Sequence, residues 1–333
     1  MANEDRLSPG ILLVVVMAAA GFALARWEVV RHYGSSSLTL ALVCGAALGN
    51  LVPRFGHGAF RPGLQFAQRR LLRAGVALYG FNLSFQQIVE VGSTGIVVDV
   101  VMVTSTLAVG WLIGRRWLGM DRETVLLTAA GSAICGAAAV VATVPMLRCS
   151  NDESAAEKST VAVASVVLFG SLAMLVYPLL FRWFGGLFDF GVYVGSTVHE
   201  VAQVVAIGSA IGDGVARSAV IVKMIRVMLL VPFLLLVAQS SGRGEGGAKL
   251  QVPWFAVMFV VLAIVNSLRL LPPELVDMLR LMGILLLTAA MAALGVDTNL
   301  SRVRKAGIRP LMLGGGLFVH LLVTGGVVNW LAA

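Results

Sequence analysis

The chain has 333 residues, 58% of them hydrophobic and only 13% charged, with net charge +8 and mean hydropathy +0.91. Soluble domains run at about 45–50% apolar and about 25% charged, so this composition excludes an ordinary soluble domain. The basic residues lie in short loops between apolar blocks, which reads as a membrane topology signal rather than a nucleic-acid surface.

A membrane-spanning helix needs roughly 20 mostly apolar residues. In chain order the blocks predict eleven spans, at roughly 9–27, 36–52, 68–91, 95–114, 122–147, 159–181, 191–211, 216–238, 252–268, 275–297 and 309–331. The fold class expected is therefore an all-α polytopic membrane protein. No loop is long enough for a folded extramembrane domain, so residues 1–333 are expected to form a single transmembrane domain. The first block starts near Pro9 and runs straight into a second, which reads as a retained span rather than a cleaved signal peptide. Thirteen Lys and Arg residues fall on one side of this layout, among them Arg6, Arg54, Arg243, Lys249, Arg302, Arg304 and Lys305. Six fall on the other, Arg26, Arg31, Arg148, Lys158, Arg217 and Arg269, so the N-terminus is expected to be cytoplasmic. Cys44, Cys135 and Cys149 have no paired spacing and read as small buried hydrophobes.

Two pairs of segments resemble each other. "LLRAGVALYGFNLSFQQIVEVG" (71–92) aligns with "LLTAAMAALGVDTNLSRVRKAG" (286–307), with six identities and Asn82 opposite Asp297. These are the third and tenth spans, which would run in opposite directions, the signature of an inverted-topology repeat. "GSAICGAAAVVA" (131–142) aligns with "GSTVHEVAQVVA" (195–206) at six of twelve positions. Each opens on Gly-Ser, where a membrane helix can unwind, and discontinuous helices present backbone groups to a substrate. By the same count these fifth and seventh spans run parallel. That leaves three readings: convergent composition, a re-entrant segment or a misplaced boundary. Close packing through small residues is the alternative account of the glycines.

The polar residues inside the apolar blocks are expensive there and mark candidate sites. On a continuous helix Ser196, His199 and Gln203 would share a face, with Glu200 turned about 100° away. "HEVAQ" begins like a zinc-protease signature, but Gln203 stands where the second histidine belongs, so no metal or other cofactor is expected. Lys223 and Arg226 lie one turn apart, deep in the eighth span. Their partners would be Glu200, Asp297 or an anionic substrate. Asn82, Ser84, Asp297 and Asn299 could hold a proton or Na⁺, and helix capping explains them equally well. Asp99, Asn266 and His320 are weaker candidates, Asp99 reading as a residue near a membrane interface.

"LLRAGVALYGFNLS", "GSAICGAAAVVATVP", "GSTVHEVAQVVA" and "VKMIRVMLLVP" resemble, in that order, segments of the YeiH-like family. Its members are designated sulfate exporters, and it is grouped with the bile acid, arsenite and riboflavin transporter superfamily. The resemblance runs from about residue 40 to the C-terminus. It implies a secondary carrier of ten or eleven helices built from inverted repeats, in the cell (inner) membrane. Carried over with it as site positions are Ser132, Cys135, Gly136, His199, Glu200, Gln203, Lys223 and Arg226.

The expected function is secondary transport of a small anion such as sulfate or a related sulfur oxyanion. Lys223, Arg226 and backbone N–H groups at the breaks near Ser132 and Ser196 would bind the anion. His199 and Glu200, or Asn82 and Asp297, would couple transport to H⁺ or Na⁺. The expected partners are the anion, the coupling ion and the lipid bilayer; nucleic acid is not among them, and a homo-oligomer is compatible with the sequence. No phosphate-binding GxxxxGK[ST] stretch is present, so primary pumping is unsupported. The alternatives are a non-transporting membrane sensor and a membrane enzyme with His199 as base and Ser196 or Cys135 as nucleophile.

Overall fold

The computed structural model describes residues 7–25, 36–147, 152–240, 254–298 and 307–333. Outside these lie several residues used above: Arg6, Arg26, Arg31, Arg148, Cys149, Arg243, Lys249, Asn299, Arg302, Arg304 and Lys305. The described helices are α1 (Ser8–Ala25), α2 (Ser37–Leu51), α3 (Arg61–Phe66), α4 (Leu72–Tyr79), α5 (Phe85–Trp111), α6 (Arg122–Ala133), α7 (Ala137–Thr143) and α8 (Asp152–Phe184). They continue with α9 (Phe190–Thr197), α10 (Val201–Ile211), α11 (Asp213–Met228), α12 (Leu230–Ser240), α13 (Trp254–Ser267), α14 (Pro273–Asp297) and α15 (Ile308–Ala332). The chain is an all-α polytopic membrane protein, as its composition requires. Among the described residues, five stretches are long and apolar enough to cross a membrane unaided: Thr94–Trp117, Glu157–Phe184, Asp213–Gln239, Pro273–Asp297 and Ile308–Ala332. The remaining expected spans appear as shorter apolar helices or as broken ones.

Side-chain caps fix several helix starts. Ser36 accepts from the Thr39 amide at 3.2 Å, Asp121 from Thr124 at 3.0 Å, and Asp189 from Gly191 at 2.8 Å and Val192 at 3.2 Å. Burial pushes the Asp121 carboxyl up, but hydrogen bonds from Thr124 and Lys158 outweigh it and hold it at about 2.

The chain divides into two compact units. The first comprises 1–90, 205–213 and 254–300, and it contains the inverted repeat. Gln68 donates to the Ala293 carbonyl at 3.0 Å, a Cβ on Gly75 would sit 3.0 Å from the Gly283 carbonyl, and Arg280 donates to the Phe81 carbonyl at 2.8 Å. Rising numbers on one segment meet falling numbers on the other, so α4 and α14 are antiparallel. They also end at aligned positions, in a short 3₁₀ turn closing on Asn82 and at Asp297 itself.

The symmetry extends beyond the aligned segments. A Cβ on Gly80 would strike the Phe259 carbonyl and approach the Ala263 amide, on α13. A Cβ on its repeat mate Gly295 would strike the Leu42 carbonyl and the Ala46 amide, on α2. In each half a glycine lets a helix lie directly on the backbone of a partner, at residues four apart. Asn266 of α13 then donates to the Leu83 carbonyl at 2.9 Å, and Asn50 of α2 to the Thr298 carbonyl at 2.9 Å. Leu83 and Thr298 are themselves aligned, so each asparagine satisfies an otherwise orphaned helix-end carbonyl. The repeat is therefore a helix pair, α2 with the 61–82 segment and α13 with α14.

The second unit comprises 91–204, 214–253 and 301–333. Its direction can be read the same way. Gly110 of α5 and Gly114, in the π-helical turn Leu112–Trp117 that continues it, pack on Ala129 and Val125 of α6, so these helices are antiparallel. Ser105 of α5 and Ile113 of its π-helical continuation meet His320 and Gly316 of α15, again antiparallel, so α6 runs with α15. Tyr193 donates to the Leu322 carbonyl at 2.9 Å and Ser196 meets Asn329 at 3.3 Å, so α9 runs with α15 too. The two Gly-Ser segments thus share one direction, and they do not form an inverted pair.

Candidate functional site

Both Gly-Ser segments break, though not at the Gly-Ser. Helix α6 ends at Ala133 and α7 starts at Ala137; α9 ends at Thr197 and α10 starts at Val201. The breaks, 134–136 and 198–200, are separated by 64 residues, the same offset as the sequence match. Gly131 and Gly195 instead lie within the last turns of α6 and α9, where a Cβ would press against Val140 and Val166, or against Val222, at 2.8 Å. Those glycines serve packing, and the unwinding comes about three residues later.

The first break is made by Gly136, whose φ of +72° no helix accommodates and few residues other than glycine adopt. A Cβ there would also meet the Glu200 carboxylate, with Oε1 at 2.8 Å. The second break contains neither glycine nor proline, and side chains hold it. Gln203 Oε1 accepts from the Glu200 amide at 3.1 Å, the reach-back half of a capping box at the start of α10. Glu200 Oε1 accepts from the Ala137 amide at 3.2 Å. Glu200 therefore supplies to α7 the cap that Gly136, lacking a side chain, cannot. Consequently His199 and Glu200 stand on no helix, and the shared face expected for Ser196, His199 and Gln203 does not form.

Lys223 closes the arrangement from α11. Its ammonium donates to the carbonyls of Ile134, at 2.6 Å, and Val198, at 2.7 Å. These are aligned residues, each at the C-terminal end of a first half-helix, where the helix dipole favours a cation. Because the two half-helices run the same way, both negative ends can face one ammonium. Of the partners expected for Lys223 and Arg226, Glu200 lies within electrostatic reach of Lys223 without an ion-pair contact, and the direct contacts are these carbonyls for Lys223 and Asp99 for Arg226. Gly95 of α5 lies close to Val222 of α11, where a Cβ would be 3.0 Å from Val222 Cγ2; one turn later Asp99 Oδ1 lies 4.0 Å from Arg226 Nε. Both side chains are fully buried.

The amides at the breaks are largely taken by the chain itself: Gly136 by the Gly131 carbonyl at 2.9 Å, Ala137 by Glu200 and Glu200 by Gln203. Three of the backbone N–H groups at the breaks, expected to be open near Ser132 and Ser196, are therefore engaged within the chain. Buried groups without a hydrogen-bond partner among the described residues include every donor of Arg226, both oxygens of Asp99, both ring nitrogens of His199, the Ser132 hydroxyl and the Gln203 Nε2. Cys135 is buried in the first break. Ser196 is engaged: its hydroxyl donates to the Tyr193 carbonyl at 3.2 Å and accepts from Asn329 at 3.3 Å. It makes no hydrogen bond to His199, whose ring nitrogens have no partner among the described residues. Asn82 and Asp297 belong to the first unit, and the Asn82 amide donates to the Tyr79 carbonyl at 3.2 Å, capping its own helix end.

Asp99 lies five residues inside the apolar stretch that begins at Thr94, close to the expected span start. Its side chain is nonetheless fully buried beside Arg226, and neither that pairing nor the contact of Asn329 with Ser196 carries a local signal in the sequence.

The sequence matches the family described as Conserved hypothetical protein 698 over residues 9–314. A UPF0324 membrane protein of Bordetella pertussis is 48% identical over 98% of this chain and 95% of its own length. One of Pseudomonas aeruginosa is 45% identical over 100% and 96%, and the UPF0324 inner membrane protein YeiH of Escherichia coli is 45% identical over 97% and 93%.

Proposed function

The chain belongs to the YeiH-like UPF0324 family of membrane proteins, and from that premise we propose that it is a secondary active transporter of a small anion. One observation carries this reading: the buried, unpartnered groups around the two helix breaks are mostly hydrogen-bond donors. The Arg226 guanidinium, the Ser132 hydroxyl, the Gln203 Nε2 and an imidazole N–H of His199 suit a ligand that only accepts, such as a deprotonated sulfur oxyanion. Lys223 holds the breaks in register and lends positive charge nearby. Glu200 and Gly136 keep α7 capped and in place.

The carrier works as one transmembrane domain, 1–333, in the inner membrane, in keeping with the E. coli relative's designation, and the basic loops favour a cytoplasmic N-terminus. Transport is coupled either to H⁺ through the second unit's polar cluster or to Na⁺ at Asn82 and Asp297. Dissipating the pH or the Na⁺ gradient separately distinguishes the two. Sulfate is the first substrate to try, with sulfite, thiosulfate, sulfonates and carboxylates as comparisons.

A melting assay on purified protein tests the binding half of the claim. At least one of these anions raises the wild-type melting temperature. The double change Asp99→Asn/Arg226→Ala removes both charges, so no lone charge stays buried, and it abolishes the shift. Equal stabilisation of the double variant, or no shift in the wild type with any of them, would sink the reading.

A further inference from the structure

We propose that Asp99 and the transported anion compete for the guanidinium of Arg226, so that each anion enters together with one proton taken by Asp99. This deepens the anion-carrier reading and rests on it.

The geometry is that of a pair held loosely. A buried ion pair that serves stability makes close, two-pronged hydrogen bonds, at about 2.7–2.9 Å, which offset the loss of hydration. Here Arg226 Nε and Asp99 Oδ1 are 4.0 Å apart, beyond hydrogen-bonding distance, though both residues are fully buried. No donor of the guanidinium and neither carboxylate oxygen has a hydrogen-bond partner among the described residues. The charges attract, while the directional bonding capacity of both groups stays unspent. Buried polar groups left so are uncommon and call for a ligand or a role.

The neighbours leave Asp99 as the competing charge. From α11, Lys223 lies within electrostatic reach of Asp99, but two of its three donors are committed to the Ile134 and Val198 carbonyls. Cys135 of the first break and Tyr177 of α8 lie within reach of Arg226, and Tyr177 donates to Thr197 at 2.7 Å. His199 of the second break also lies within reach of Lys223 and Arg226. Glu200, the other buried carboxylate among the described residues, lies within electrostatic reach of Lys223, and its Oε1 accepts from the Ala137 amide at the start of α7.

With Asp99 ionised, the guanidinium faces an anion already built into the chain, and an incoming oxyanion meets like charge. When Asp99 takes a proton, one O–H bond forms and the repulsion disappears. The oxyanion then bonds to the freed guanidinium, and the carboxylic acid becomes a further donor to it. Loss of the proton restores the internal pair and expels the anion.

The test is sulfate binding by the purified, full-length protein across acidic to alkaline pH, in wild type and Asp99→Asn. One linked proton predicts that wild-type affinity falls by up to about tenfold per pH unit on the alkaline side. The Asp99→Asn variant binds with no such fall, because its amide never competes. Independently of any variant, wild-type protein in weakly buffered alkaline solution takes up about one proton per sulfate bound. A pH dependence that survives Asp99→Asn, or sulfate binding by the wild type without proton uptake, overturns the proposal. If folded wild-type protein shows no sulfate binding at any pH, sulfate as the ligand fails first and this proposal with it, so the two failures are told apart.

Discussion

Ile134 and Val198 occupy equivalent positions in the two broken segments, and their carbonyl oxygens share one ammonium, that of Lys223, at 2.6 and 2.7 Å. This three-way contact joins two same-direction half-helices at their negative ends. It gives Lys223 a structural task that its depth in an apolar helix alone does not reveal.

Replacing Lys223 by methionine therefore leaves two buried carbonyls unsatisfied. Each such loss costs about 1–3 kcal/mol, so the melting temperature of anion-free protein should drop markedly. An unchanged melting temperature would show that the ammonium does not hold the breaks.

Gly136 combines a left-handed backbone with close contact to the Glu200 carboxylate. Gly136→Ala should destabilise by about 1–3 kcal/mol from backbone strain alone, before the steric clash is counted. Gly186, where a Cβ meets nothing within 4 Å, provides the control, and Gly186→Ala should melt like the wild type. Equal melting of both variants would contradict this account of the first break.

Glu200 caps α7 through an acceptor oxygen, and glutamine also has one. Glu200→Gln should retain most of the stability and the wild-type pH dependence of anion binding. Glu200→Ala should cost about 0.5–2 kcal/mol, the usual range for a lost cap. If Glu200→Gln instead makes anion binding independent of pH, the coupled proton sits on Glu200 and its role as a cap is secondary.

How much of this was legible beforehand varied with the physics. Membrane class and the helical segments follow from apolar block length, which needs no tertiary information. The inverted repeat is legible because Gly80 and Gly295, at matched positions, each let a helix lie on the backbone of a partner, which leaves a spaced signature. The breaks lie about three residues past the Gly-Ser pairs, since Gly-Ser can mean packing as readily as unwinding, and at Gly131 and Gly195 it means packing. The exact place of the second break has no local mark, because the break is held by the reach of Gln203 and Glu200 rather than by a breaker residue. Asp99 was underrated because its partner lies more than a hundred residues along the chain, and no local pattern links them.

The symmetry of the first unit predicts matched effects. Asn50→Ala and Asn266→Ala each strand an aligned helix-end carbonyl, so each should destabilise by about 1–3 kcal/mol in thermal unfolding. A loss confined to one of the two would show that the halves do not share this contact energetically.

The central claim, vectorial movement of an anion through the site at the two breaks, is tested most directly by counterflow in proteoliposomes. Vesicles preloaded with unlabelled sulfate and diluted into trace radiolabelled sulfate should accumulate label transiently with wild-type protein. Vesicles carrying the folded Asp99→Asn/Arg226→Ala protein should not. Absence of wild-type counterflow for sulfate, sulfite, thiosulfate and sulfonates alike, or undiminished counterflow in the double variant, would contradict the account.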